Sequence, residues 1–431
     1  MSKPLAHLVD YARSLNGTDV YVLQTPTKDV VTCMMAFQGA GIHASYSTQS
    51  VVSVLADLFP SGTTLRKKKE VLDVFESLGA KVNISHSESH LLVTLASQQE
   101  YFLEAFELLL EVLANCVITQ EEFKASWSRV KTMYHHAQED TRTQAMLALR
   151  QAMYLKGHPH WVPSTKKSLQ EIEALTNNEV HTFHTNTFTS IGSLVCIVGD
   201  VQPKKIMQSL QALVETLPAR SPFAVQKLHV ERINMTAPKE DIVTIKNKLN
   251  VDTFVGIPLS ITKDDTDFRA LQVAVSILGA SSSSRLFTTL RTKKNLTYGS
   301  YATLESFGAG YPGYLSALAI FPNDVYERGR PVLEETIQTF IERGVRPKEL
   351  EEHKEELVGK FNISLSTTVG MCSVLFGVLL NGKPVSYIDE YVDNIVALTS
   401  LGLNKVIKKH IDFSLAKTTA AGAITKEGVP I

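Results

Sequence analysis

Two residues in the second half of the sequence have side chains suited to holding a peptide. Arg291 lies in a helical pattern and carries five N–H donors in one plane, and Tyr298 follows it with a phenol. If the helix ends near Lys294, Tyr298 begins the next strand, and the two side chain tips can meet at one site. Without further information, two such polar residues are more typical of an ordinary protein surface.

The histidines are weaker candidates for a metal site. His86, Glu88 and His90 alternate, which would place all three on one face of a strand. Residues i and i+4 of a strand are roughly 13 Å apart, too far for one tetrahedral zinc ion. A polar solvent face is therefore favoured over a new metal site. His135–His136 are predicted to lie at a solvated helix end, and the pairs His158–His160 and His181–His184 are predicted to be structural.

Other common signatures of chemistry are missing from the sequence. No Gly-x-Ser-x-Gly elbow and no phosphate-binding glycine loop occur, and the loop Gly279–Arg285 lacks the Gly-Lys-Ser/Thr of a phosphate cradle. The four cysteines are scattered, which argues against both a disulfide framework and a cysteine zinc site. Cys33 and Cys196 lie in apolar, strand-like runs and are predicted to be core residues.

Length, composition and charge narrow the class of protein. A chain of 431 residues predicts two to four domains, and 44% hydrophobic residues exclude a largely disordered chain. The net charge of −1 argues against a nucleic-acid or anionic-membrane surface. No apolar run is long enough for a membrane span, and residues 1–10 lack the apolar core of a signal peptide. We therefore expect either a cytosolic protein or a mature chain with an added Met.

The sequence repeats one pattern twice. Leu155–Pro159 (Leu-Lys-Gly-His-Pro) matches Leu380–Pro384 (Leu-Asn-Gly-Lys-Pro), and Ile172–Thr176 matches Ile395–Thr399. In each pair the second segment follows the first after nearly the same number of residues. This constant offset indicates a duplicated domain of about 200 residues. Strand-like and helical patterns follow in the same order in both halves, and in the first half they include a strand predicted at Val30–Phe37 and a helix predicted at Gln120–Gln138.

The repeat sets the predicted domains and the fold class. We expect an N-terminal domain at 1–216, a proline-containing linker at 217–239 and a C-terminal domain at 240–431. Each half combines strands with long helices, so the predicted fold is α+β, with each domain a mainly antiparallel sheet covered by helices on one face.

These features resemble the insulinase/pitrilysin family of metallopeptidases, the inverzincins. The similarity covers about residues 7–420 and is greatest to the short bacterial and processing-peptidase-like members. It is carried by the run Val20–Gly41 and, most specifically, by Ser284–Tyr298, which reads Ser-Arg-Leu-Phe-x-x-Leu-Arg-x-x-x-x-Leu-x-Tyr. The resemblance implies two related domains around one peptidase site.

The zinc motif of the active members is degenerate in this sequence. In those members a His-x-x-Glu-His helix supplies two zinc ligands and the general base. Aligned on the turn that follows, the histidine positions are Ser53 and Asp57, the base position is Ala56, and the third ligand position is Met133 or Tyr134. Ser, Asp and Met or Tyr cannot form a credible zinc site, and Ala56 cannot take a proton from water, so no cofactor is expected in this chain.

The surviving part of the family site is the Arg291–Tyr298 pair. In active relatives it holds the substrate backbone and helps stabilise the oxyanion. The resemblance therefore implies the non-catalytic subunit of a heterodimeric zinc metalloendopeptidase, with zinc in a homologous partner and a peptide as substrate. The edge strand near Lys81–His90 would pair with the substrate as an added strand.

Two other functions remain open at this stage. The first is a non-enzymatic structural or peptide-binding protein of the same fold, like the core subunits of respiratory complexes, which would not need Arg291 and Tyr298. The second is the non-zinc subunit of the mitochondrial processing peptidase, whose glycine-rich loop is absent at Gly279–Ser284. Whether the chain takes part in catalysis is thus undecided, and we expect a periplasmic location, with the cytoplasm as the alternative.

Overall fold

The computed structural model describes residues 4–25, 29–38, 46–87, 89–219, 233–308 and 310–431. The chain divides into two units that each combine separate stretches of sequence. The first unit consists of 1–131, 170–226 and 357–395, and the second of 132–169, 227–356 and 396–431. Most of the predicted linker, 220–232, lies outside the described residues, and the predicted domain boundaries stay a prediction.

The strands are short and are distributed over the whole chain. They are β1 (Val9–Arg13), β2 (Asp19–Gln24), β3 (Val30–Gln38), β4 (Gly62–Thr63), β5 (Lys81–His86), β6 (His90–Gln98), β7 (Cys116–Val117), β8 (Leu194–Gly199), β9 (Glu240–Thr244), β10 (Asn250–Pro258), β11 (Gly299–Glu305), β12 (Tyr314–Pro322) and β13 (Lys417–Gly422).

The helices lie between them. They are α1 (Tyr46–Leu58), α2 (Lys68–Ser77), α3 (Phe102–Ala114), α4 (Gln120–Glu139), α5 (Thr141–Met153), α6 (Thr165–Ala174), α7 (Asn177–Thr187), α8 (Pro203–Val214), α9 (Phe268–Gly279), α10 (Tyr326–Arg343), α11 (Pro347–Ser364), α12 (Thr368–Leu380), α13 (Ser386–Asp389), α14 (Tyr391–Val396) and α15 (Ser400–His410). A π-helix spans Phe287–Lys293.

The two units contain corresponding sheets. The first sheet has the order β1-β2-β8-β3-β6-β5, and the second has the order β11-β12-β10-β13-β9. Apart from β1, the strands match one to one in chain order and in position. One pair in each sheet is parallel, β2 with β8 and β9 with β13, and the other pairs are antiparallel. The predicted α+β fold of two related, mainly antiparallel sheets is confirmed.

Each unit takes one helix from the other half of the sequence. In the first unit α12 packs on β3 and β8, and in the second unit α5 packs on β10 and β13. The repeated turns follow these two helices, and Gly157 and Gly382 both adopt positive φ there. These glycines permit the positive φ of the two turns because they carry no Cβ.

Helices cover both faces of the first sheet, whereas only one covered face was expected. Ala36 of β3 and Cys196 of β8 pack against Cys372 and Leu375 of α12. The alternate residues of β3 point the other way and are also buried, including Met35 and Phe37. The central strands therefore form continuous apolar runs, which is typical of strands buried on both faces.

Two further findings concern possible membrane-spanning helices and the edge of the first sheet. Within the described ranges no single helix is long and apolar enough to cross a membrane, and α11 with α12 passes only as a pair bent by 112°. The strand β5 lies at the edge of the first sheet, where only β6 pairs with it among the described strands.

Candidate functional site

The residues at the zinc-motif positions lie on α1. Its buried side is apolar and includes Val54, Leu55 and Leu58, which accounts for the helix and for its docking. Ser53, Ala56 and Asp57 are all only partly buried. The Ser53 hydroxyl donates to the carbonyl oxygen of Gln49 at 3.1 Å, one turn back along the same helix.

Asp57 is held by an arginine of α4. Arg129 donates from Nε to Oδ1 at 3.2 Å and to Oδ2 at 3.0 Å, and from Nη2 to Oδ2 at 2.6 Å. Burial raises the pKa of Asp57, but hydrogen bonds from Arg129 and Ser126 and the nearby positive charges outweigh it, and the pKa is lowered. The lowered pKa favours the ionised carboxylate, which accepts hydrogen bonds from the guanidinium of Arg129 and from Ser126.

These residues do not fit a zinc ion. A hydroxyl that donates to its own helix, a methyl group and a carboxylate held by Arg129 replace two imidazoles and a general base. Met133, at the third ligand position, is a thioether with 54% of its surface exposed, and the alternative Tyr134 carries no carboxylate. No group of three or more His, Cys, Asp or Glu that could hold a metal occurs within the described part of the chain.

Sequence reasoning missed Arg129. It lies one turn before Met133 on α4, so both residues are on the face where the third ligand was expected. The signal was present, because an acid at a former histidine position needs a cation nearby. An arginine four residues from the third ligand position is well placed to supply it.

The second candidate site is built by the π-helix and the strand that follows it. The N–H of Lys294 bonds to the carbonyl of Thr289 at 3.1 Å, and the N–H of Leu296 bonds to that of Leu290 at 2.8 Å. Asn295 closes the turn with a φ of 47°. π-helical turns are rare and occur frequently at functional sites.

Thr297 fixes the start of β11. It is buried, and its Oγ1 donates to the carbonyl oxygens of Gly299 at 2.8 Å and Ile320 at 2.5 Å, with one hydrogen shared between these directions. The same oxygen accepts the N–H groups of Gly299 and Ile320, each at 3.2 Å. Tyr298 is consequently attached to a rigid backbone, although 66% of its own surface is exposed.

The structure brings Arg291 and Tyr298 together. The guanidinium carbon of Arg291 lies 5.6 Å from the centre of the Tyr298 ring, which is within the range of a cation–π contact. One of its N–H groups, on Nη1, donates to the carbonyl of Thr297 at 3.1 Å. The predicted meeting of the two side chains is present, and their role stays a prediction.

The other sequence candidates do not assemble into a site. His86 ends β5 and His90 begins β6, because the chain turns between them and the N–H of Ser87 bonds to the carbonyl of His90 at 2.8 Å. The prediction that they share one strand face is therefore wrong. Glu88 lies outside the described residues.

The remaining histidine pairs are structural or exposed. His135 and His136 are exposed on α4, and His181 is exposed on α7. His184 is buried against Phe188, and burial lowers its pKa to about 3. His160 is fully buried with its Nε2 2.7 Å from the carbonyl oxygen of Pro312, and burial lowers its pKa to about 3.

Comparisons with known proteins agree with this picture. A family model described as "Insulinase (Peptidase family M16)" matches residues 20–159, and one described as "Peptidase M16 inactive domain" matches residues 174–357. The chain belongs to the M16 insulinase family. The second of these matches contains both Arg291 and Tyr298.

Similar proteins of this family occur in several bacteria. A protein of Helicobacter pylori named "Non-peptidase homolog YmxG" is 21% identical over 388 residues, covering 88% of this chain and 86% of its own. A Bacillus subtilis protein named "Uncharacterized zinc protease YmxG" is 21% identical over 416 residues, covering 94% and 97%. "Probable inactive metalloprotease YmfF" of B. subtilis is 21% identical and covers 65% of each chain.

Solved M16 structures share the fold. A "peptidase M16 inactive domain" of Pseudomonas fluorescens superposes with a TM-score of 0.85 at 18% identity, covering 98% of this chain and 99% of the other. A protease of H. pylori gives a TM-score of 0.85 at 16% identity, covering 96% and 99%. Together with the degenerate motif, these similarities support a place among the non-catalytic members of the M16 family.

Proposed function

We propose that this chain is the non-zinc subunit of a heterodimeric M16 metalloendopeptidase. A homologous partner supplies the zinc ion and the general base, and this chain supplies Arg291 and Tyr298 to the peptide. Arg291 holds a substrate carbonyl and the oxyanion that develops from it, and Tyr298 acts beside it. A partner-free chain then has no complete active site.

One contrast within the molecule carries the proposal. The zinc positions hold groups that cannot bind zinc, whereas Arg291 and Tyr298 are in contact and supported by Thr297. A purely structural protein gains little from an exposed tyrosine in cation–π contact with a guanidinium. The preserved donor pair therefore favours a role in peptide binding over the non-enzymatic alternative.

Reconstitution with a zinc-bearing M16 chain of the same genome tests the proposal. Alone, the chain should bind no stoichiometric zinc and cleave no peptide, while the assembled pair should cleave. The substitution Arg291→Ala should lower kcat by about 100- to 1000-fold, as expected for loss of an oxyanion donor. Lys294→Ala, which removes an exposed cation beside the same π-helix, serves as the control and should leave kcat unchanged.

Two results would decide against the proposal. One zinc ion per purified chain in metal analysis would contradict the division of labour. Full activity of the Arg291→Ala pair, with normal assembly, would favour the non-enzymatic alternative.

We further propose the periplasm as the compartment, with the cytoplasm as the alternative. All four cysteines are buried as free thiols in the structure, so neither compartment is chemically excluded. Fractionation of the native host, followed by detection of this chain beside periplasmic and cytoplasmic markers, separates the two.

A further inference from the structure

Arg291 has a positive charge with no acidic partner. Within the described residues its side chain makes one hydrogen bond, to the carbonyl of Thr297, and one ring contact, with Tyr298. No carboxylate of the described chain lies within ion-pair distance of it. Four of its five N–H groups are consequently available to a ligand.

A second arginine in the same segment shows the opposite arrangement. Arg285 precedes the π-helix, and its Nε and Nη2 donate to the two carboxylate oxygens of Glu349, each at 2.6 Å. Its Nη2 also reaches the carbonyl of Gly344 at 2.6 Å, and its guanidinium packs over Phe340 at 5.2 Å. The fold thus pairs Arg285 with a carboxylate, whereas Arg291 has no such partner among the described residues.

The neighbouring charges add to that of Arg291. Lys293 and Lys294, two and three residues further along the chain, are both exposed. Two acids on adjoining elements have other partners: Glu334 of α10 is paired with Arg330, and Glu305 of β11 accepts the Tyr314 hydroxyl at 3.0 Å.

The hydrogen bond to Thr297 determines which N–H groups are open. Within the described residues it uses one N–H group on Nη1, so the N–H groups on Nε and Nη2 remain for a ligand. Two parallel N–H groups in a plane match the two oxygens of a carboxylate, whereas a backbone carbonyl offers only one oxygen. A carboxylate also supplies the missing negative charge.

We propose that Arg291 and Tyr298 bind a peptide through a carboxylate, either its C-terminal group or an Asp or Glu side chain. This inference rests on the proposed function, because it names the class of peptide taken by the same pair. It predicts that a peptide with an acidic side chain or a free C-terminal carboxylate binds more tightly. The proposed function alone predicts only a contact with the peptide backbone.

Three peptides of one sequence test the inference. Each carries the same uncharged fluorophore and otherwise contains only Ala, Leu, Phe, Gly and Gln. The first ends in a free carboxylate, the second ends in an amide, and the third ends in an amide but carries one internal Glu. Fluorescence anisotropy with the full chain, and with the assembled pair in which the partner's general base has been replaced, measures their affinities.

If the site binds a carboxylate, the peptides should differ in affinity, and this gap in affinity should depend on Arg291. The best carboxylate peptide should bind about 10- to 100-fold more tightly than the plain amide, as expected for a charge-assisted bond. Arg291→Gln should abolish this gap, and Lys294→Gln, with the same loss of charge, should keep most of it. A preference for the first or the third peptide identifies the terminal or the side-chain carboxylate.

The failures of the two proposals are distinguishable. Equal binding of all three peptides that is lost in Arg291→Gln would overturn the carboxylate inference and leave the peptide-binding role in place. No peptide binding, or binding indifferent to Arg291, would overturn both. An equal loss of the gap in Lys294→Gln would reduce the site to general positive charge and overturn the assignment to Arg291.

Discussion

The former zinc positions and the Arg291–Tyr298 pair are two candidate sites that have diverged in opposite directions. In the first unit the charges of Asp57 and Arg129 neutralise each other. In the second unit Arg291 has a rigid support and, among the residues that the structure describes, no counter-ion. The comparison teaches that a charge held internally maintains the fold, whereas a charge left open on a fixed backbone is suited to binding.

Neither charge arrangement changes the free energy of unfolding by much. The side chains of Asp57 and Arg129 are 29% and 57% exposed, so water screens their attraction and the pair is worth about 1 kcal/mol or less. Arg291 is also partly exposed, and its unpaired charge therefore remains solvated. Neither site depends on a deeply buried ion.

Acid should produce the largest effect, and it should affect the two units alike. His184 in the first unit and His160 in the second both have a pKa lowered to about 3 by burial. Because the unfolded chain takes up these protons first, stability present above about pH 6.5 should be lost as the pH falls towards 3, by about 4 kcal/mol for each histidine.

Urea unfolding between pH 7 and pH 4 measures this loss. His160→Gln, which keeps a donor for the Pro312 carbonyl, should flatten the pH dependence. His135→Gln on the exposed face of α4 is the control and should not. An unchanged slope in His160→Gln would mean that the histidine is protonated in the folded chain.

The two arginines of the π-helical segment should differ in their effect on stability. Arg285→Ala removes the guanidinium donors from the half-buried Glu349 and from the Gly344 carbonyl, and should lower the free energy of unfolding by about 2 kcal/mol. Arg291→Ala should change it by less than about 0.5 kcal/mol. Equal destabilisation by both substitutions would show that Arg291 is structural, which would break the comparison.

Thr297→Val should disturb the support of Tyr298. The substitution keeps the shape of the side chain but removes the hydroxyl that bonds to the partly buried N–H and carbonyl groups of Gly299 and Ile320. We expect a loss of about 1–2 kcal/mol in unfolding free energy and weaker peptide binding. Thr303→Val on the same strand, where the threonine makes one long bond of 3.4 Å, is the matched control.

The ion pair of the first unit should give the smallest effect. The lowered pKa of Asp57 means that its contribution is present above the unfolded value, near pH 3.9, and is lost as the pH falls through the folded value. A double-mutant cycle of Asp57→Asn and Arg129→Gln should give a coupling of about 0.5 kcal/mol at pH 7. A coupling that persists unchanged in acid would contradict an ionised Asp57.

Local patterns predicted the elements well because they reflect local physics. The helix predicted over residues 120–138 is α4, and the strand predicted over 30–37 is β3. The duplication followed from repeated turns, and the contact of Arg291 with Tyr298 followed from a helix that ends near Lys294. The prediction that His86 and His90 share one strand face was wrong, because the alternating pattern was extended across a serine-rich turn that separates two strands.

Long-range partners were not predictable in the same way. The choice of Arg129 for Asp57 depends on the packing of α1 against α4, and 72 residues separate the two in sequence. The π-helix has no signal in the composition of Phe287–Lys293. The exchange of α5 and α12 is invisible locally, since an apolar helix face does not indicate which sheet it covers.

That exchange has a consequence for biosynthesis. The last strand of the first sheet, β8, is complete at Gly199, but α12, which covers β3 and β8, is not synthesised until residues 368–380. Until then Leu23, Ala36 and Cys196 lack their apolar cover. The growing chain thus carries an unfinished core through much of its translation, which is a period of exposure to aggregation and to chaperones. For the same reason, a ribosome that stops at the end of the first repeat releases a polypeptide that cannot complete either unit.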